Sequence, residues 1–383
     1  MTKQTTRRDK YTNNAVVLFL AFELGASEWK LGFSTGLGQK ARRRAVVARD
    51  LDKLQKEIAA AKRRFGVAEE TRVVSCYEAG RDGFWLHRYL SQSGIENVVV
   101  DSSSIEVNRR ARRAKSDKLD VQKLLIMLIR YHAGEARVWN VVHVPTAEEE
   151  DGRVLHRELK TLKKDLGRAT SRLKALLATQ GIRWRSPLPL TEAALEGMRL
   201  WDGTALPAAL KSRLKREGEH VRFLKGQIQT LERERRQALR AVRAGDVEKI
   251  RQLATLRAIG RQGSWILVRE FFGWRKFQNR RQVGALAGLT PTPYQSGDSH
   301  REQGISKAGN RHVRGVAIEL AWAWLRYQPH SRLTRWYQQR FASGGPRARK
   351  VGIVAVARRL LIDLWRFLET GVLPEGAELK ASV

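Results

Sequence analysis

Apolar residues in the first third of the chain come in short blocks rather than in helical stripes. "NAVVLFLAFEL" reads as a buried strand, "EWKLGFST" as a second and "ARRRAVVARD" as a third. "LDKLQKEIAAAKRRFG" has helical composition and stops at Gly66, a residue suited to a helix C-terminus. "TRVVSCYEAG" and "ENVVVDSSS" are two further strand-like runs, each closing in turn residues. Strands in succession, then strands alternating with helices, predict a mixed sheet with helices packed on it over residues 13–145.

The pattern changes at about residue 151. Leu155, Leu159, Leu162, Leu166, Ala169, Leu173 and Leu176 alternate spacings of four and three, which keeps one apolar seam along a helix. Val221, Leu224, Ile228 and Leu231 form a second seam, interrupted at Arg235 and resumed at Ala238 and Val242. The connector "WRSPLPLTEAALEGMRLWDGTALPAAL" carries prolines that break any continuous helix. Residues 151–250 are therefore two helical arms, either an antiparallel hairpin, a dimerising coiled coil or two helices of a small bundle. From 251 to 372 the chain reads as helical with Gly-containing turns, and the long segment "RKVGIVAVARRLLIDLWRFLETG" is expected to pack that region shut.

Composition narrows the partners. The 383 residues are 42% apolar, enough to bury ordinary cores, yet 73 Lys and Arg stand against 39 Asp and Glu for a net charge of +34. A surface with that excess attracts a polyanion, so nucleic acid is the leading partner. The single cysteine, Cys76, excludes an internal disulfide and a thiolate metal cluster. The longest wholly apolar run, Ala15 to Phe22, is far too short to span a bilayer, and the first residues lack a signal-peptide pattern. These readings lead us to expect a cytoplasmic protein with no membrane partner.

Against this charge, "AKSDKLDVQKLL" places Asp117 and Asp120 at helical i,i+3 spacing directly after the basic run "NRRARRAK". Glu23 follows the first apolar strand and Glu78 closes "VVSCYE". Acids just outside two strands plus an acidic pair on a helix are what is needed to gather oxygen ligands for Mg²⁺. Asp101 ends "NVVVD" in the same way, but "DSSS" is more simply a capping turn. Arg109, Arg110, Arg112, Arg113 and Lys115 can hold a nucleic-acid strand beside the acids. In "QSGDSHREQGISKAGNRHVR", Ser296 precedes Gly297 in an expected loop, with Lys307, Asn310, Arg311 and Arg314 around the turn "SKAGN". A serine attacking phosphate needs an open position and cations for the transition state, although a loop that merely contacts phosphate has the same composition. "LRAIGRQGSW" offers a turn for phosphate or a plain helix–helix turn, and "AWAWL" with Trp336 and Tyr337 offers stacking or core aromatics.

Taken in order, Glu23, "YEAGRDGFWLHRYL", "AKSDKLDVQKL", the helical arms and "VGALAGLTPTPYQSGDSHREQGISKAGNRHVR" resemble the insertion-sequence transposases of the DEDD type, class one-ten, eleven-eleven subgroup. The likeness runs along nearly the whole chain, and "YEAG" with "QSG…ISKAGN" carries most of it. The resemblance implies a RuvC-like, ribonuclease-H-like α/β domain, a coiled-coil dimerisation region and a mainly α-helical C-terminal transposase domain. It further implies recombination of donor and target DNA guided by a structured bridge RNA. Glu23, Glu78, Asp117 and Asp120 match the four acids that bind Mg²⁺, and Ser296 matches the nucleophile that forms a phosphoserine link. Activity would then require a homo-oligomer, a dimer that becomes a tetramer in the synaptic complex. The first acid is commonly Asp in the family and is Glu23 here, and the Pro- and Gly-rich turn before the C-terminal domain is "RAIG". A metal-dependent junction-resolving nuclease with a DNA-binding C-terminal domain is the competing expectation.

Overall fold

The computed structural model describes residues 16–105, 117–135, 137–184, 190–240, 245–296 and 299–381. The chain divides into two compact units, residues 1–145 and 146–383. The first is built on a five-stranded mixed sheet. Strands β1 (Leu18–Leu24), β2 (Glu28–Ser34) and β3 (Arg42–Val47) form an antiparallel meander, and β4 (Val73–Glu78) and β5 (Glu96–Val100) add to β1 in parallel, giving the order β3-β2-β1-β4-β5. Each coincides with an apolar block of the sequence. β1 is apolar at every position through Phe22 because both of its faces are covered, as expected for the centre of a sheet.

Helices α1 (Leu51–Phe65) and α2 (Trp85–Gln92) cover one face. Leu54, Ile58, Leu86 and Leu90 pack there with Leu18, Leu20 and Phe22. α1 begins at Asp50, whose side chain accepts from the Lys53 amide, and ends at Gly66 in the left-handed conformation (φ 65°). The other face belongs to α3 (Asp117–His132), whose Leu124, Leu125 and Leu128 meet Phe19, Ala21, Val74 and Cys76.

The second unit opens with the short helix α4 (Ala147–Asp151), closed at its start by a capping box of Thr146 and Glu149. Helices α5 (Val154–Ala178) and α7 (Ala208–Arg240) then lie against each other, with the short α6 (Glu192–Glu196) in the connector. The pairs Lys163–Glu232 (2.7 Å) and Arg172–Glu217 (3.1 Å) run in opposite sequence directions, so the two arms form an antiparallel hairpin within one chain. The predicted seam is its core: Leu159 meets Ile228 and Leu231, and Ala169 and Leu173 join Val221 and Leu224. Each buried Leu, Ile or Val of the seam contributes roughly 1.5–3 kcal/mol. α7 starts earlier than its apolar seam, directly after Pro207, because a proline is tolerated ahead of the first turn and not within it. Val242 lies outside the described residues.

The rest of this unit is mostly helical: α8 (Gly245–Thr255), α9 (Arg261–Leu267) running into a π-helical turn at Val268–Phe272, α10 (Arg280–Leu286), α11 (Arg311–Tyr327), α12 (Arg332–Tyr337) and α13 (Pro346–Thr370). α13 threads the core with Ile353, Val356, Leu360, Leu361 and Leu364, as the sequence predicts for the last apolar segment. Leu155, Ala238 and Leu239, from the base of the two arms, pack against that same core. The stretch expected to be a loop before α11 is instead a hairpin of β6 (Pro291–Ser296) and β7 (Ser299–Ile305). Two prolines and no apolar alternation concealed β6, which is possible because a two-stranded ribbon tolerates Pro where a central strand does not.

Candidate active site

The sheet brings two predicted acids to the same end of two neighbouring inner strands. Phe22 pairs with Tyr77 across the parallel strands β1 and β4, so Glu23 and Glu78 are the next residues on neighbouring strands and, by alternation, lie on the α3 face. Helix α3 runs opposite to β1: Leu124 accepts from the Cys76 thiol at 3.8 Å, while His132, two turns later, stacks edge-on against Phe19 at 5.1 Å. Stepping back four residues from Leu124 to Asp120 moves about 6 Å along the helix, and stepping from Cys76 to Glu78 moves about 6.6 Å along the strand. The first turn of α3 therefore stands at the level of Glu23 and Glu78. Gly32 makes this close seating possible, because a Cβ there would meet Val121 Cγ1 at 2.7 Å. Asp117 is the first residue of the helix, one turn ahead of Val121.

These acids differ in setting. Glu78 is exposed and makes no ion pair among the described residues, whereas Glu23 is half-buried and faces Lys30 across the antiparallel pair β1/β2. Asp120 is half-buried. Among the described residues no group of three or more His, Cys, Asp or Glu is drawn together closely enough to hold a metal ion. Carboxylate oxygens are hard donors of the kind that suits Mg²⁺, which needs one or two carboxylates and keeps its remaining positions for water and phosphate. Cys76 is no competitor as a ligand, since burial pushes its thiol well above the ordinary range. Asp101 accepts from the Ser103 amide (3.0 Å) and hydroxyl (2.9 Å), the capping turn expected of "DSSS". Arg109, Arg110, Arg112, Arg113 and Lys115 lie outside the described residues.

In the second unit, Ser296 is the last residue of β6 and pairs with Ser299 at the tip of the hairpin. The hairpin's base is tied by the Ser306 amide to Thr290 O (2.8 Å) and the Lys307 amide to Gly288 O (3.2 Å). The turn "SKAGN" follows. Lys307 has a left-handed backbone (φ 54°), and Gly309 (φ 115°) presses so close to the preceding crossing that a Cβ would lie 2.3 Å from Leu286 O. Of the four predicted contacts to nucleic acid here, Lys307 and Arg311 are exposed. Arg314 donates to the carbonyls of Lys307 (3.0 Å) and Ala287 (3.3 Å), and Asn310 caps α11 by accepting from the amides of His312 (2.8 Å) and Val313 (3.2 Å). The "LRAIGRQGSW" segment is the turn between α8 and α9, where Lys380 from the C-terminal tail donates to Ala254 O and Ile259 O. Trp324 and Tyr337 are core residues, Trp336 is half-buried beneath Arg359, and Trp322 is half exposed.

Sequence reading passed over one group. Glu270, in the π-helical turn, is fully buried and accepts from His156 Nε2 (2.7 Å), Arg157 Nε (2.7 Å), Arg157 Nη2 (2.9 Å) and Asn310 Nδ2 (2.8 Å). Burial alone would raise its pKa, but the bonds from His156, Arg157 and Asn310 outweigh it and hold the carboxyl far below the usual range. His312, ring-to-ring with His156 at 6.4 Å, is pushed down to about 4 by burial, so it is neutral at physiological pH. The signal was present in the sequence: an acid inside the apolar run "SWILVREFFGW" must be buried, and a buried acid must find partners.

Comparison with known proteins places the chain in a family. The family model described as Transposase IS116/IS110/IS902 family matches residues 250–335, the stretch from α8 through the serine hairpin to α12. A protein of Sinorhizobium fredii named "Putative transposase y4rJ" is 42% identical over 377 residues, covering 95% of this chain and 94% of its own length. The transposase for insertion sequence element IS1328 of Yersinia enterocolitica is 26% identical over 259 residues, covering 66% of this chain and 71% of its own. Identity at that level over almost the full length of both proteins, together with the matched C-terminal region, shows that the chain belongs to the IS116/IS110/IS902 family of transposases.

Proposed function

We propose that the chain is an RNA-guided DNA recombinase that moves an insertion sequence, with a RuvC-like first unit that binds Mg²⁺ and a second unit that supplies Ser296 as nucleophile. The observation that carries the reading is the placement of Glu23 and Glu78 at adjacent strand ends with the Asp117–Asp120 turn of α3 above them. The mixed sheet order, with a three-stranded meander extended by two parallel strands, supports the ribonuclease-H-like assignment.

Glu23, Glu78, Asp117 and Asp120 would hold the ion, which when bound supplies positive charge to the non-bridging oxygens of the scissile phosphate. The protein's own residues do the rest. Lys307 and Arg311 attract the backbone near the hairpin, and the run from Arg109 to Lys115 does so ahead of α3. Ser296 Oγ attacks phosphorus; an Oγ–P bond forms, the P–O bond to the leaving strand breaks, the serine gives up its proton and the leaving oxygen takes one. The number of ester bonds is unchanged, so a second strand's hydroxyl reverses the step and no nucleotide cofactor is consumed. The excess of 34 positive charges serves both DNA and a structured guide RNA, and the reaction on paired DNA ends calls for more than one copy of the chain.

The test is substitution read on a labelled duplex carrying the element's ends. Ser296→Ala abolishes covalent protein–DNA adducts and recombination, and Asp120→Asn abolishes both along with Mg²⁺ dependence. Cleavage that survives Ser296→Ala without adducts turns the reading into the junction-resolving nuclease. A discrete RNA that co-purifies with the chain supports guidance; its absence at low salt counts against it.

A further inference from the structure

We propose that Glu270 is a positioning residue for strand transfer, joining the first turn of the helical arm to the base of the hairpin that bears Ser296. The inference rests on the reading of Ser296 as nucleophile. An unbroken chain of bonds supports it. His156 and Arg157 lie in the first turn of α5, and together they occupy Glu270 Oε1, with the second Arg157 nitrogen on Oε2. Asn310 takes the remaining position on Oε2 through its amide nitrogen, while its amide oxygen caps α11. The Asn310 main-chain amide donates to Leu286 O at 2.9 Å, and the next two bonds, from Lys307 and Ser306, clamp the base of β6 and β7. The ladder then runs from Pro291 opposite Ile305 to Ser296 opposite Ser299.

An apolar residue could fill the site of Glu270 with less desolvation, so stability alone is a weak reason for a buried carboxylate here. What the carboxylate adds is direction. The Arg157 fork is bidentate and planar, which fixes orientation as well as distance, and a π-helical turn is a local departure that aims one side chain. Three segments remote in sequence, at 156–157, 270 and 310, are thereby held to one geometry. A guide or DNA strand that shifts the base of the arm will shift the serine hairpin with it.

The experiment uses the full chain purified with its bound nucleic acid. Arg157→Ala is the main variant, because Arg157 is half exposed and His156 and Asn310 still bond Glu270 without it; Glu270→Gln is the second. Amide hydrogen exchange is followed over residues 286–310, alongside adduct formation on the labelled duplex and DNA affinity. Arg157→Ala is expected to speed exchange at Ser306, Lys307 and Asn310 by at least about tenfold, since it removes both charge-assisted bonds of the fork. Adduct yield is expected to fall by roughly 10- to 100-fold, as small misplacements of a reacting group do, with DNA affinity unchanged. Arg157→Lys, which keeps the charge without the fork, should recover part of both. Unaltered exchange at 286–310 in Arg157→Ala, or a uniform rise across 250–370, overturns the proposal. Adducts that persist in Ser296→Ala overturn the serine reading instead, and the exchange result distinguishes the two.

Discussion

Glu78 closes the strand run "VVSCY" and Glu270 lies within the largely apolar "WILVREFF", and the fold treats them in opposite ways. Glu78 stands at a strand end, exposed, with no ion pair among the described residues. Glu270 is wholly buried with both oxygens engaged by His156, Arg157 and Asn310. A carboxylate whose lone pairs are committed inside the protein can order its neighbours but has nothing left for a ligand. One left open beside other acids destabilises nothing by its removal and is free to take a cation. Whether a carboxylate binds or braces is thus decided by where its neighbours' donors point.

Substitutions sharpen that contrast, beginning with the largest effect. Asp120→Asn and Ser296→Ala should each lower recombination by at least about 100-fold, the scale of losing a group that meets transition-state charge, while both proteins remain folded. Glu270→Ala should reduce the stability of the second unit by about 3–5 kcal/mol, since it strands Arg157 and Asn310 without their partner; urea unfolding of the two units measures it. Gly309→Ala should cost about 2 kcal/mol or more, because the left-handed backbone and the 2.3 Å approach to Leu286 O both resist a Cβ.

Acid should act on the second unit in two stages. His312 has a folded pKa of about 4, below its unfolded value, so its unfolded form gains a proton first and stability falls as pH drops from about 6.5 to about 4. Glu270 is depressed as well; its contribution is full above the unfolded carboxylate value of about 4.3 and is lost as pH falls further. Urea midpoints against pH should lose the first stage in His312→Gln and the second in Glu270→Gln. The smallest effect belongs to Glu78→Gln, whose stability should change by no more than about 0.5 kcal/mol although Mg²⁺-dependent cleavage is lost. A large destabilisation there would break the distinction between the two acids.

Much of the architecture was legible as pattern. The five strands of the sheet, the stop of α1 at Gly66 and the leucine seam of α5 all follow from local periodicity and capping, which act within a few residues. The two acids at strand ends could be picked out for the same reason, as polar residues terminating buried runs. β6 could not, because its prolines and polar residues pair only when β7 returns beside them. Nor could the roles within "SKAGNRHVR" be sorted by charge: Lys307 and Arg311 remain exposed, while Asn310 and Arg314 are engaged by the fold.

Local chemistry alone therefore decided which segments are strand and helix, that the partner is a polyanion, and which acids were worth following. Proximity between remote residues is a property of packing, and no spacing rule encodes it. The register that sets Glu23 beside Glu78, the antiparallel course of α3 that carries Asp120 to their level, and the meeting of His156, Arg157 and Asn310 on Glu270 came only with the tertiary structure. The physical reason is the same in each case: burial is cooperative, and a side chain's partners are chosen by whichever surfaces the cores press together.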